Sequence, residues 1–463
     1  MSNKFIPIDR DQPFVIPVQS WLADDHLARF IVAIIDGLDV SALEGSYSGG
    51  GSQAYPPKMM LALLFYGYVT GIFTSRKLEK ATYELIPMIY ITGNTHPDHN
   101  SINTFRKRFL GEMTDLFTQI LLRAYALGAL RLGDVSLDGT KIHANASKHN
   151  AMSWGYANRL EEQLRAEVEA LLKKAEEAGD TEPVVGMNVG EEIARRQVTL
   201  QQIGEAKEEL EARAKLRFDL EKAAYDAKQK QRQEREKELG HKLGGPKPKP
   251  PEPGPLDTDQ VNFTDPESRI MPVSSGGFEQ CYNAQASVDQ ASHLIIANHV
   301  TQAPNDKQEV KPTVINLDAL PDELGHVEHI AADTGYCSAS NAEACEQKKI
   351  IPLFACGREA HHLSPEARFA DVGKAPPATA SAMERMQHRI KTPEGKKIYA
   401  KRKSTVEPAF GVTLAGNGLS AVLVARTGSC DWGMDAGLYC LQFKAASCVS
   451  GIGLPKRQEM VCE

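Results

Sequence analysis

Residues 135–142 read VSLDGTKI, and residues 329–336 read HIAADTGY. Each stretch contains a short run of mostly apolar or β-branched residues, reaches an aspartate, and meets a glycine within two further positions. Such a run is typical of a buried strand that gives way to a loop. The two stretches therefore predict two strands, with Asp138 and Asp333 at the strand ends.

A third acidic residue, Glu407, lies in the basic stretch YAKRKSTVEPAF (399–410), which has helical character up to Pro408. The Glu407 carboxylate would therefore approach the two aspartates from a different secondary-structure element. Mg²⁺ prefers oxygen ligands, so one or two carboxylates per ion together with substrate phosphate oxygens make a normal site. Because a lone Asp-Gly pair is most often a turn, the metal hypothesis depends on the three acidic residues taken together.

The order of several motifs is more specific than any single residue. Two helical motifs come first and four further motifs follow: PPKMMLALLFYGYVTG (56–71), HPDHNSINTFRKRF (96–109), LDGTK (137–141), GGFEQCYNAQASVD (276–289), AADTGY (331–336) and YAKRKSTVEPAFG (399–411). This order resembles the bacterial insertion-sequence transposases of the DDE type, in the InsH-like branch with a ribonuclease-H-like catalytic domain. The resemblance extends from about Phe14 to Gly411.

The resemblance implies that Asp138, Asp333 and Glu407 are the catalytic and metal-binding triad of the family. It implies two Mg²⁺ ions, for which Mn²⁺ substitutes, that serve the cutting and joining of DNA ends. The implied partners are terminal inverted repeats, target DNA and further copies of the chain in a homo-oligomer. Two alternatives stay open: a metal-dependent nuclease without strand transfer, and an inactive or domesticated DNA-binding protein.

The net charge of −7 argues, taken alone, against a nucleic-acid binder, because phosphate contacts come from Lys and Arg. Local basic surfaces argue the other way. In FRKRF (105–109) two phenylalanines would anchor a helix, N-capped by Ser101, while the cations face out. The predicted DNA-binding residues are Arg106, Lys107, Arg108, Lys141, Tyr336, Tyr399, Lys401, Arg402 and Lys403. An ordinary solvated basic face is the alternative.

The order of the predicted helices and strands indicates an α+β protein with several segments. Residues 1–130 are predicted to be helical, and the almost continuous apolar run at 56–71 predicts a helix that is buried on most of its surface. This region is either a DNA-binding domain or a packing domain whose basic edge only touches phosphate. The resemblance implies that residues 131–150 and 258–411 form the ribonuclease-H-like, mixed-sheet catalytic domain. The long charged insertion, residues 151–257, predicts a helical hairpin and a Pro-rich linker, with a dimerising coiled coil as the alternative.

The last segment, residues 412–463, departs from the family pattern. Leu414 stands where the family usually has a lysine seven residues after the glutamate, and glycines recur at spacings that no helix favours. We predict a reading-frame shift near residue 412, a poorly ordered tail and an impaired copy. A diverged natural C-terminus is the alternative.

The sequence starts without a signal-peptide pattern and has no apolar stretch long enough to span a bilayer. It therefore predicts a cytoplasmic bacterial protein with no membrane partner. Its 8 cysteines show no CxxC pairing, which argues against a zinc site and a disulfide framework and favours reduced thiols.

Overall fold

The computed structural model describes residues 17–47, 53–109, 111–178, 189–241, 244, 248–273, 276–357, 373–377, 379–411 and 421–422. The predicted aberrant tail, residues 412–463, lies outside the described residues, apart from residues 421–422. The prediction that this tail is poorly ordered therefore also concerns residues outside the description. In the part of the chain that is described, no helix is both long enough and apolar enough to cross a membrane.

Helices make up the first part of the chain, and strands and helices alternate after it. The helices are α1 (Val18–Trp21), α2 (Leu27–Asp36), α3 (Ser41–Gly45), α4 (Pro57–Val69), α5 (Ser75–Glu84), α6 (Ile86–Thr92), α7 (His99–Arg108), α8 (Met113–Ala126), α9 (Trp154–Ala178), α10 (Val189–Leu239), α11 (Val310–Asp318), α12 (Ala339–Gln347), α13 (Ala382–Arg389) and α14 (Pro393–Gly411). The strands are β1 (Asp134–Ala144), β2 (Ala151–Ser153), β3 (Gln260–Asn262), β4 (Arg269–Pro272), β5 (Phe278–Asp289), β6 (Ile295–Thr301), β7 (His329–Ala332), β8 (Ile351–Phe354) and β9 (Ala421–Val422).

Helix α4 is the central helix of the N-terminal region. Pro57 opens it at a position where the missing N–H costs no helical hydrogen bond. Every residue from Met60 to Val69 is buried, as the continuous apolar run predicted. One apolar core extends from Leu22 in this region to Ala409 in α14. The N-terminal helices and the later sheet are therefore packed together, and the predicted domain boundary at residue 130 stays a prediction.

Helix α7 carries the basic FRKRF sequence. Asp98 is its N-cap, since its Oδ1 accepts hydrogen bonds from the N–H groups of Asn100 (2.8 Å) and Ser101 (3.0 Å). The prediction of Ser101 as N-cap is wrong, because its hydroxyl donates to Asp98 Oδ2 instead. Phe105 and Phe109 are buried, which confirms them as anchors.

Seven strands of the described chain form one mixed sheet built around β1 and β5. These two strands pair antiparallel, and β4 and β6 lie along the other edge of β5. Beyond β1 come the parallel strands β7 and β8, while β9 pairs with the end of β1. The predicted α+β fold with a ribonuclease-H-like mixed sheet is confirmed.

Strand β1 does not end at Asp138, contrary to the prediction from the Asp-Gly pair. It continues to Ala144, because the long strand β5 supplies antiparallel partners as far as the pair of His143 and Cys281. This ladder satisfies backbone groups that a turn would have left free. Asp333 directly follows the end of β7, as predicted.

The charged insertion contains the predicted antiparallel hairpin, formed by α9 and α10. Arg196 pairs with Glu167 and Lys207 pairs with Glu161, each at 2.8 Å, so later residues of α10 meet earlier residues of α9. A small apolar cluster between the helices contains Met152, Ala157, Leu164 and Ile203. The pairing is intramolecular, and dimerisation through these helices stays a prediction.

Four cysteines lie in the described part of the chain. Cys281, Cys337, Cys345 and Cys356 are all free. The other cysteines lie outside the described residues.

Candidate active site

Asp138, in β1, and Asp333, directly after the parallel strand β7, occupy equivalent positions on neighbouring segments of the sheet. The ladder between β1 and β7 pairs Ser136 with Ala331, and each aspartate follows two residues later. Because side chains along a strand alternate with a period of two, both aspartates leave the sheet on the face that carries Ser136 and Ala331. The first two residues of the predicted triad therefore lie side by side.

Helix α14 covers this face of the sheet. Ile398 packs in a buried cluster with Ala331 and Leu353. Gln290 donates hydrogen bonds from Nε2 both to the hydroxyl of Ser136 (3.0 Å) and to the carbonyl of Ile398 (3.1 Å). The helix that carries the predicted third acidic residue is thus held directly against the strands that carry the other two.

Arg402 links α14 to the first aspartate. Its Nη1 donates a hydrogen bond of 2.8 Å to Oδ2 of Asp138, and its side chain is only 9% exposed. Its Nε atom is buried and has no hydrogen-bond partner among the described residues. Burial raises the pKa of Asp138; Arg402 and the N–H of Gly139 oppose this rise, and the charge of Asp333 adds to it. Arg402 therefore supplies the positive charge that favours an ionised Asp138.

Asp333 is the N-cap of the 3-10 turn Thr334–Tyr336, which follows β7. Its Oδ1 accepts a hydrogen bond of 2.8 Å from the N–H of Gly335. A Cβ on Gly335 would lie 3.0 Å from the same oxygen, so glycine allows the carboxylate to lie close to the backbone. Oδ2 of Asp333 has no hydrogen-bond partner in the described part of the chain, which leaves it available to a ligand.

Glu407 lies on the exposed side of α14, five residues after Arg402. Its carboxylate makes no hydrogen bond or ion pair with any described residue. Among the described residues no three His, Cys, Asp or Glu side chains form a group that could hold a metal ion. The structure brings Asp138 and Asp333 together but not Glu407, whose place in the site stays a prediction. Helix α14 also continues through Pro408 to Gly411, beyond the end that the proline suggested.

The two aspartates fit one hard divalent cation. One or two carboxylates, completed by waters and phosphate oxygens, are a normal ligand set for Mg²⁺. Asp333 offers its unpaired Oδ2, whereas Oδ2 of Asp138 already accepts from Arg402. Ligation through that oxygen would require Asp138 to exchange Arg402 for the metal ion.

Two of the predicted DNA contacts point into the fold. Tyr336 is fully buried and its hydroxyl donates to Oε1 of Gln285 at 2.5 Å, so this hydroxyl faces the core and not a DNA surface. Nζ of Lys141 lies 3.9 Å from Oδ1 of Asp306. Burial lowers the pKa of Lys141, and the charge of Asp306 opposes that change. Both residues are better placed to support the site than to bind phosphate.

The cations of α14 next to Arg402 have a different setting. Lys401 and Lys403 are exposed, and the guanidinium of Arg402 lies 6.0 Å from the ring centre of the half-buried Tyr399. The two lysines therefore face solvent, whereas Tyr399 packs against the buried cluster that contains Ile398.

The three cations of α7 also differ in their surroundings. Nη1 of Arg106 donates to the hydroxyl of Tyr68 at 2.9 Å. The guanidinium of Arg108 lies over the ring of Tyr47, 4.5 Å from its centre. Lys107 is exposed. Arg106 and Arg108 thus take part in packing, and Lys107 is the cation that faces solvent most freely.

Three polar residues near the site were missed in the sequence. Asn283 and Gln285 are fully buried on β5, and both donate to Oδ1 of Asp306, at 2.7 and 2.8 Å. The sequence contains one indication of these two residues, because polar residues alternate with alanines in a strand that is otherwise typical of a buried one. Asp306 itself, in a turn-rich segment, has no local signal.

Two family models match the chain. One, described as Transposase domain (DUF772), matches residues 17–108, and the other, described as Transposase DDE domain, matches residues 260–420. The second match includes Asp333 and Glu407 but not Asp138. No curated protein and no solved structure matches the chain. The InsH-like branch stays a prediction. Since the two matches cover the helical N-terminal region and most of the mixed sheet, the chain belongs to the DDE transposases of insertion sequences.

Proposed function

We propose that the chain cuts and joins DNA ends by two-metal phosphoryl transfer, with Asp138, Asp333 and Glu407 as the ligands. The observation that carries the proposal is the equivalent placement of the two aspartates on neighbouring strands, beneath α14. Glu407 is included because it lies on that helix and within the family motif. Bound metal ions would activate a water or a 3′-hydroxyl and stabilise the leaving oxygen.

The side chains around the aspartates have separate roles in this proposal. Asp138 and Asp333 supply negative charge and orientation, and no covalent bond to the protein is needed. Arg402, once exchanged from Asp138, is a cation that can bind a substrate phosphate next to this aspartate. Lys401 and Lys403 hold the DNA backbone, which positions the substrate without reading its sequence. Terminal inverted repeats and target DNA are the proposed substrates, bound by a homo-oligomer.

The direct test is Asp333→Asn. An amide cannot supply the charge that holds the cation, so metal-dependent cleavage of terminal-repeat DNA should be lost, whereas salt-sensitive DNA binding should persist. Cleavage and fluorescence anisotropy measure the two properties. Asp322→Asn is a matched control, because Asp322 is an exposed aspartate in another 3-10 turn. Unchanged cleavage by Asp333→Asn would contradict the proposal.

Detection of DNA ends joined to a target distinguishes a transposase from a metal-dependent nuclease. If the purified chain cuts DNA ends but never attaches them to a target, the nuclease alternative is correct. If it binds DNA and does not cut in Mg²⁺ or Mn²⁺, the inactive DNA-binding alternative is correct.

We also propose that residues 412–463 impair this copy. The support is the break in composition after Gly411. A helix that lacks the family's continuation would hold Glu407 loosely, and a loosely held ligand costs metal affinity and rate. Translation of the downstream DNA in another frame should restore a basic, helical continuation, and that chain should join ends faster than the present one. Full transposition by the present chain would refute impairment.

A further inference from the structure

A chain of buried hydrogen bonds lies beneath the turn that begins at Asp333. Tyr336 closes this turn, and its hydroxyl donates to Oε1 of Gln285 at 2.5 Å. Nε2 of Gln285 donates in turn to Oδ1 of Asp306 (2.8 Å) and to Oδ1 of Asn283 (3.1 Å). The amide of Gln285 is therefore bound at both ends, which fixes its orientation.

These residues lie on the face of the sheet opposite to Asp138. Gln285 is the cross-strand partner of Gly139, the residue after Asp138, and neighbouring residues of a strand point to opposite faces. A Cβ on Gly139 would lie 2.3 Å from Nε2 of Gln285 and 2.8 Å from Oδ1 of Asp306. The glycine of the Asp-Gly pair thus provides space for the Gln285 amide and does not form a turn.

Asp306 determines which way the amide points. An ionised carboxylate only accepts hydrogen bonds, so Gln285 must present its NH₂ group to Asp306 and its oxygen to Tyr336. Asn283 donates to the same oxygen of Asp306, and Lys141 lies 3.9 Å from it. Burial, and next the charge of Asp306, raise the pKa of Tyr336, so its hydroxyl stays protonated and donates.

We propose that Asp306, Gln285 and Tyr336 form a positioning relay that fixes the turn after β7 and so orients the carboxylate of Asp333 for its metal ion. The inference rests on the proposed function of Asp333 as a ligand. None of the three residues needs to touch the ion. Removal of residues that orient a metal ligand typically costs about 10–100-fold in metal affinity.

The first test is Mn²⁺ binding to the full chain without DNA, followed by electron paramagnetic resonance. Tyr336→Phe keeps the buried ring and removes the hydroxyl, and it should weaken Mn²⁺ binding about 10-fold. Tyr282→Phe is the matched control, since this tyrosine is also buried on the sheet and donates to the carboxylate of Asp265 at 2.7 and 2.8 Å. Tyr282→Phe should bind Mn²⁺ with the affinity of the wild type, even if it lowers the melting temperature more than Tyr336→Phe does.

The second test exchanges the acid and the amide. Asp306→Asn alone, or Gln285→Glu alone, should weaken Mn²⁺ binding, because each breaks the pattern of donors and acceptors. The double variant Asp306→Asn/Gln285→Glu restores most of it once the amide of Asn283 turns over. Asn at 306 then donates to Glu at 285 and to the oxygen of Asn283, the NH₂ group of Asn283 donates to Glu at 285, and Glu at 285 still accepts from Tyr336. Only the hydrogen bond from Asn283 to the carbonyl of Ala303 is lost. Recovery of affinity supports the relay. No recovery would overturn it and indicate that Asp306 ligates the ion itself.

A comparison with Asp333→Asn separates the two proposals. If Asp333→Asn loses Mn²⁺ binding and Tyr336→Phe binds like the wild type, the relay is overturned and the ligand assignment stands. If Asp333→Asn binds Mn²⁺ like the wild type, the proposed metal site itself is wrong, and the relay has no ligand to orient.

Discussion

Arg402 donates a hydrogen bond of 2.8 Å from Nη1 to Oδ2 of Asp138, across the contact between α14 and β1. The pair places a buried cation on an oxygen that a metal ion would also use. Before a metal ion binds, the guanidinium lowers the cost of an ionised carboxylate in a mostly buried position. In the proposed mechanism a metal ion would take the place of Arg402 on Asp138, and the guanidinium would then be free to contact a substrate phosphate.

Replacement of Arg402 by methionine should shift the acidic limit of metal binding upward. Burial already raises the pKa of Asp138 and Arg402 opposes that rise, so Arg402→Met should raise this pKa further. Protons then displace Mn²⁺ at a higher pH than in the wild type. Mn²⁺ affinity as a function of pH measures the shift, and Lys397→Met, at an exposed position of the same helix, is the control. An unchanged acidic limit would show that Arg402 does not govern the charge of Asp138.

The same substitution should change stability in a pH-dependent way. A carboxyl with a raised pKa binds its proton more tightly in the folded than in the unfolded state, so its ionisation costs stability as the pH rises through the folded pKa. Arg402→Met should therefore destabilise the fold by about 1–3 kcal/mol at neutral pH and by less in acid. Urea denaturation at several pH values measures this. A loss that is equal at all pH values would point to lost packing alone.

Gly139→Ala should destabilise the protein by about 1–3 kcal/mol, because the new methyl group would overlap the amide of Gln285 in a packed interior. Gly133→Ala is the matched control: no atom within 4 Å meets a Cβ at Gly133, just before the same strand. The urea midpoint of each variant decides the comparison. Equal midpoints for the two variants would mean that the space at Gly139 is not needed.

Features that neighbouring residues determine could be predicted from the sequence, whereas features that depend on distant residues could not. The burial of α4 and the strand end before Asp333 were predicted correctly, because an apolar run and its end are both encoded in neighbouring residues. The strand end at Asp138 was predicted wrongly, because the partner that extends β1 is β5, more than a hundred residues later. Asp306 was missed for the same reason, since its role depends on amides from a distant strand.

Substitution of Lys107 should affect DNA binding, whereas substitution of Arg106 should affect the stability of the fold. Lys107→Ala should weaken binding to all DNA sequences about equally and reduce the slope of affinity against salt by about 1, with little change in stability, because Lys107 is exposed. Arg106→Ala should chiefly lower the melting temperature, since Arg106 is hydrogen-bonded to Tyr68. Anisotropy at several salt concentrations and thermal denaturation test both. An unchanged salt slope for Lys107→Ala would favour the interpretation as a packing domain.

Glu407→Gln should lower the number of Mn²⁺ ions bound per chain from two to one and reduce metal-dependent cleavage by at least about 10²-fold, because a neutral amide is a poor ligand for a hard cation. The melting temperature should not change, since Glu407 is exposed and makes no contact with a charged partner in the described part of the chain. Glu394→Gln, an exposed carboxylate in the first turn of the same helix, should retain both ions. Ion counts come from Mn²⁺ titration, which does not require an active chain. Two ions bound by Glu407→Gln would remove this residue from the site and leave the paired aspartates as its acidic ligands.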